Sequence, residues 1–190
     1  MCPYLTCLAC AAALATSESA IAQPSSASVY TDISGKECAK HIDDELTGAY
    51  TMDCPGVLGF RLHVLVDDER SSVSVITPDK MVFPLNYWDV VTRGFSTLGS
   101  KAEWRITKVA GKAVPVALIV RVHALVQSET SPFGRTPFLA VAKIAVDGAC
   151  VTGVVEASSR TANKQARQIA ADRDKACLSA GSGTKSLKKG

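Results

Sequence analysis

Two tripeptides of the same form, Arg61-Leu62-His63 and Arg121-Val122-His123, carry the side chains of this chain best suited to chemistry. In an extended strand, residues two apart share a face, so each Arg and His would stand together, opposite the apolar residue between them. Arg105 and Lys143 hold the same kind of position in two other alternating stretches. If these strands are neighbours, one sheet face carries a basic patch of Arg61, His63, Arg105, Arg121, His123 and Lys143. Forked guanidinium groups match carboxylate and phosphate, so that patch would bind an anion. The plainer alternative is a solvated face of a one-sided antiparallel sheet, which shows the same alternation. Two histidines could also contribute to a metal site, but no third ligand stands at a fixed spacing and no metal is expected.

Cysteine usage is the next chemical signal. Residues 5–15 are apolar and uncharged, and Ala20-Ile21-Ala22 forms a small-x-small cleavage pattern. Residues 1–22 therefore read as a secretory signal peptide, although no Lys or Arg precedes the apolar run. Three of the seven cysteines, Cys2, Cys7 and Cys10, would leave with it. Cys38, Cys54, Cys150 and Cys177 remain, an even number in an oxidising compartment, and disulfides are the natural outcome. Of the three connectivities, Cys38–Cys54 with Cys150–Cys177 is favoured because each bridge closes a short loop. A zinc site is disfavoured because these four cysteines form no Cys-x-x-Cys pair. If all four are bridged, no thiol is left as a nucleophile.

Catalytic signatures are missing. There is no Gly-x-Ser-x-Gly, and no Ser-x-x-Lys outside the C-terminal tail. Asp43-Asp44-Glu45 and Asp67-Asp68-Glu69 lack calcium-loop spacing. Gly181 to Ser186 lacks the ending of a phosphate loop. No catalytic residue and no cofactor is assigned. The net charge of +3, raised by one when Glu18 leaves, falls short of a nucleic-acid-binding signature. The apolar segment Val114–Val126 is interrupted by Pro115, Arg121 and His123, so no transmembrane segment is expected after cleavage.

The elements that must position these groups show mostly a period of two. Phe60, Leu62, Val64 and Val66 alternate with Arg61 and His63. Val73, Val75 and Thr77 oppose Ser72 and Ser74. Trp104 and Ile106 alternate with Glu103, Arg105 and Thr107, which places Trp104 in the core with Glu103 and Arg105 pointing out. Even-numbered residues from Val116 to Val126 are apolar, as are those from Phe138 to Val146. Such strands are antiparallel and packed on one side. Asp67–Arg70, Ala110-Gly111-Lys112 and Asp147-Gly148 read as turns, and Ser128–Pro137, with two prolines and Gly134, as a surface loop. Tyr87-Trp88, beside Pro84 and Asn86, is the best candidate for an exposed aromatic contact, although packing on the sheet is the simpler reading. One helix is expected over Ala162–Ala176, with Ser158, Ser159 or Thr161 as its cap. The expected organisation is a signal peptide (1–22), a flexible leader (23–28), one β-rich domain (29–178) and a disordered basic tail (179–190). Lys185, Lys188 and Lys189 of that tail could touch anionic surfaces.

Several motifs fall in a recognisable order: Tyr30-Thr31-Asp32 before Cys38, Cys54-Pro55-Gly56, Leu98-Gly99 leading to Glu103-Trp104-Arg105, Phe138 to Ile144, and a Cys150–Cys177 strand–helix unit containing Ala162-Asn163 and Ala170-Ala171-Asp172. Together they resemble a family of small exported bacterial proteins without an assigned activity. The resemblance implies secretion and a β-rich fold; it supplies no catalytic residue. Pro78–Val91 and the lysine tail match it least. The expectation is a mainly β (α+β) antiparallel sandwich or curved sheet with one C-terminal helix and two disulfides. It would be exported, most simply to the periplasm, and would bind an envelope protein or an anionic ligand. A secreted hydrolase inhibitor using the Ser128–Pro137 loop is the second reading. An enzyme with His63 or His123 beside a carboxylate or serine is the third.

Overall fold

A computed structural model describes residues 26–128, 131–145 and 147–180. The expected signal peptide, residue 146 and residues 181–190 of the tail lie outside the described residues. The chain folds as two five-stranded antiparallel sheets. The first contains β1 (Ala27–Asp32), β7 (Ser96–Val109), β8 (Lys112–Ser128), β9 (Ser131–Ala145) and β10 (Gly148–Glu156), in the order β1-β7-β8-β9-β10. The second is a meander of β2 (Ala39–Asp44), β3 (Ala49–Pro55), β4 (Arg61–Asp67), β5 (Arg70–Ile76) and β6 (Val82–Pro84). A one-turn helix, α1 (Tyr87–Val90), links the meander to β7, and α2 (Ala162–Ala171) follows β10. β1 begins inside the expected leader, at Ala27.

The alternation read from the sequence becomes the core between the sheets. Met52, Cys54, Leu62, Val64, Val73 and Val75 of the second sheet meet Trp104, Leu118, Val120, Val122, Phe138, Ala140 and Ala142 of the first. Each large aliphatic side chain buried there contributes about 1.5–3 kcal/mol relative to its exposed state. Trp104 closes one end of the sandwich, with its indole N–H donating to Thr31 Oγ1 at 2.9 Å and Phe60 against its edge at 6.3 Å between ring centres. Gly56 is a close approach: a Cβ there would lie 2.3 Å from the Phe60 carbonyl oxygen and 2.9 Å from the Trp104 ring. The Cys54-Pro55-Gly56 and Glu103-Trp104-Arg105 motifs thus meet at one packing contact.

The first sheet is covered on both faces, which the one-sided expectation did not include. Ala117, Ile119, Leu139, Val141 and Val155 face away from the second sheet and pack on Ala162, Ala166 and Ala170 of α2. The spacing of four along α2 gives a stripe of methyl groups on one side. Its small side chains let the helix lie close to the sheet. Gly153 makes the same allowance from below, because a Cβ there would sit 2.9 Å from Ile169.

Cys38–Cys54 and Cys150–Cys177 are both bridged. With sequence separations of 16 and 27, the chain-entropy model assigns them about 3 and about 3.5 kcal/mol. The second bridge also explains why α2 stops at Ala171 rather than continuing to Ala176. Asp172 is extended, its carboxylate accepts Asp174 N at 3.2 Å, and Leu178 N donates to Val151 O at 2.7 Å. A longer helix would carry Cys177 away from Cys150.

The polar turns are tight two-residue hairpins with positive φ at both central positions, Asp68 and Glu69 after β4 and Ala110 and Gly111 after β7. This is the type I′ pattern that matches strand twist. The expected loop Ser128–Pro137 is instead mostly strand, because β9 starts at Ser131 and pairs with β8. Proline was a misleading signal there. Pro137 O accepts Ala157 N, so its backbone polar side faces away from β8 and the ladder loses no donor. Pro115 is tolerated for a related reason, standing at the register break opposite Arg105 and Ile106. Tyr87 is buried in the core rather than exposed, and Trp88 is half-buried.

Candidate functional site: a cleft at the open end of the sandwich

The six basic positions do not form one patch. Arg61 and His63 lie on β4 and the other four on β7, β8 and β9, in a different sheet. Leu62 and Val64 point into the core from one side, and Leu118, Val120 and Val122 from the other. The intervening Arg and His residues therefore face outward on opposite sides of the molecule.

On the second sheet, His63 sits opposite Asp53 of β3 and Ser74 of β5. His63 Nε2 is 3.6 Å from Asp53 Oδ1, and His41 Nε2 is 3.5 Å from Oδ2 of the same carboxylate. A carboxylate, an imidazole and a hydroxyl thus stand in a row across three strands. The row does not present a nucleophile: Ser74 is 4% exposed, and no hydrogen bond among the described residues joins it to His63. Arg61 lines a shallow depression with Glu37, Asp53 and Phe60. Among the described residues no group of three or more metal-type ligands is arranged to hold an ion.

On the first sheet, Arg105 and Lys143 are committed to structure. Lys143 Nζ donates to Lys175 O at 3.0 Å, tying β9 to the segment after α2. Arg105 donates to Ser26 and Ser28 at the start of β1 and lies 3.3 Å from Glu103. Glu103, expected to point out into solvent, is 8% exposed. Its Oε1 accepts Ser28 Oγ at 2.6 Å and Arg167 Nε at 2.8 Å, and Arg167 also donates to Tyr30 Oη at 2.9 Å. Burial pushes the Glu103 carboxyl up, but the Arg167 and Ser28 hydrogen bonds and the Arg167 charge outweigh it, so the group ends below its ordinary value. β1, β7 and α2 are joined through this one carboxylate.

Arg121 and His123 have no such carboxylate. They are joined by Arg135, which stands on β9 opposite Leu125, one step diagonally from His123. Among the described residues no hydrogen bond or ion pair engages the side chains of Arg121, His123 or Arg135. Burial, then the charge of Arg121, then that of Arg135, lower the His123 imidazolium below its ordinary value. Arg135 was missed in the sequence because it falls in the stretch read as a loop.

His123 and Arg135, although at the outward strand parity, reach the lip of a cleft of about 580 Å³ that opens between the two sheets. It opens where β1 ends and β7 breaks register with β8 between Leu98 and Ala102. Ile33 N donates to Ser100 O across this break. The wall from the second sheet is Tyr50, Met52, Val64 and Val66; Leu98 and Leu125 face it, and Phe95 stands half-exposed at the rim. The back is closed where Ser71 donates twice to Ser96, from its N to Oγ and from its Oγ to the carbonyl, and Ser96 N donates to Glu69 O at 2.9 Å. This size, with apolar walls and a few converging polar groups, suits a small-molecule site. The strand alternation carried the wall residues as core, but nothing in the sequence marked the gap left by small Ser71, Ser96, Thr97 and Gly99. No protein-family model, curated protein or solved structure matches this chain.

Proposed function

We propose that this protein is an exported, non-enzymatic binding module of the bacterial envelope that takes a small molecule into the cleft between its sheets. The observation that carries the reading is the cleft itself: about 580 Å³, walled by apolar side chains, with His123 and Arg135 at its edge. Export is supported by the signal-peptide layout of residues 1–22 and by two disulfides in a chain with no cysteine left over after cleavage. No helix among the described residues is long and apolar enough to cross a membrane. The motif resemblance to small exported bacterial proteins belongs to the same proposal. Binding is favoured over hydrolysis because the Asp53–His63–Ser74 row buries its serine.

The test is direct. The oxidised mature chain is incubated with an envelope extract and washed, and the retained small molecules are identified by mass spectrometry beside a Val66→Trp variant that fills the cleft. Retention of one compound or class by the wild type, lost in the folded variant, supports the reading. Equal retention by both, or none by either, contradicts it.

A further inference from the structure

We propose that the occupant of the cleft is an amphipathic anion, with one acidic headgroup held by His123 and Arg135 and an apolar tail laid over Met52, Val64, Val66 and Leu98. This rests on reading the cleft as the binding site and adds its chemical class. The two ends of the cleft differ in a way that gives a ligand polarity. Its floor is apolar, since Met52 and Val64 are buried core residues, and offers nothing to a polar group. Its edge on the first sheet carries Arg135 and His123, with Arg121 the next residue along that strand face. None of these three has a partner among the described residues.

The nearby Glu103 cluster shows what this sheet face does with cations when they serve the fold: it supplies a buried carboxylate. At the cleft no carboxylate among the described residues is supplied to that lip. Glu69, the only carboxylate among the described lining residues, belongs to the turn of the opposite sheet. A ligand acid group would complete the missing pair, and charge-assisted hydrogen bonds from Arg and His are the stronger kind. Burial first, and then the charges of Arg121 and Arg135, lower the affinity of His123 for its proton, and a bound anion would offset the repulsion between these cations.

The experiment is calorimetric titration of the oxidised mature chain with decanoate, decanol and decyltrimethylammonium, three probes with one tail and different heads, all below micelle-forming concentrations. Decanoate is expected to bind about ten-fold tighter than either of the others. The His123→Ala/Arg135→Ala variant is expected to lose that preference while still binding decanol, and Val66→Trp to bind none of the three. Decanol binding as tightly as decanoate overturns the acidic headgroup but leaves the cleft as an apolar site. Tighter binding of the ammonium overturns it in favour of the Glu69 lip. Wild-type-like binding by Val66→Trp, or no binding of any probe by the wild type, overturns the headgroup assignment and the cleft together.

Discussion

Two basic clusters stand on the same face of the first sheet and differ in one component. Arg105 and Arg167 converge on Glu103, a buried carboxylate that accepts from both and from Ser28. His123 and Arg135, with Arg121 beside them, stand at a cleft and pair with no carboxylate among the described residues. The first cluster is satisfied internally, and its work is to hold β1, β7 and α2 together. The second leaves its charge to be satisfied from outside. The same residue types, at the same strand parity, are structural in one place and available in the other, so partner identity, and not residue type, separates scaffold from site.

The largest way to break this comparison is to loosen α2, which carries Arg167. Replacing Cys150 and Cys177 by Ala should cost about 3.5 kcal/mol in urea unfolding, judged from the length of the loop they close. Decanoate binding at the other cluster should survive in the folded fraction. Next, Glu103→Gln should cost about 2–3 kcal/mol, because it leaves the largely buried Arg105 without its counter-charge; an unchanged urea midpoint would mean the cluster is not structural. By contrast, Arg135→Ala should change stability by less than about 0.5 kcal/mol, as removal of an exposed cation with no partner among the described residues should, while weakening decanoate binding.

Acid should separate the clusters too. The folded His123 binds its proton more weakly than an ordinary histidine of pKa 6.5, so the unfolded chain holds more protons and stability falls as pH drops below that value. Glu103 has the same sign but acts at lower pH. Its folded carboxyl lies below the ordinary 4.5, so its contribution is complete above that pH and is lost only in stronger acid. Urea midpoints measured across the acid range should therefore decline in two stages, and His123→Gln should remove the first. Asp32, lowered to about 2 by Ser34 and Lys101, should hold to the most acid end. A small effect of the other sign is expected at Tyr87, whose buried hydroxyl has no partner among the described residues. Tyr87→Phe should be neutral or stabilising by up to about 1 kcal/mol.

Much of this architecture was legible because it rests on alternation. Leu62, Val64, Trp104, Leu118, Val120 and Phe138 were readable as core since strand geometry leaves them one face. The cysteine pairing was readable from loop closure. Three things were not. The partner of the mixed face was hidden, because Ala117 and Ile119 look like minor interruptions of a polar face until α2 lies on them. The extent of β9 was hidden by Pro137, whose missing donor matters only if it faces a neighbour. The site was hidden because a cleft is a property of two sheets meeting imperfectly. Arg121 and His123 could be named from their spacing, but neither their separation from Arg61 and His63 nor their convergence with Arg135 is written in any local pattern.

The most direct test of the central claim is a decanoate titration followed by side-chain NMR of the oxidised mature protein. The account predicts shifts confined to the methyl groups of Val64, Val66, Leu98 and Leu125 and to the imidazole of His123, with the His123 titration moving to higher pH as the anion binds. Shifts centred on His63 and His41 across the opposite sheet, or an unmoved His123 while the methyl groups respond, would contradict it.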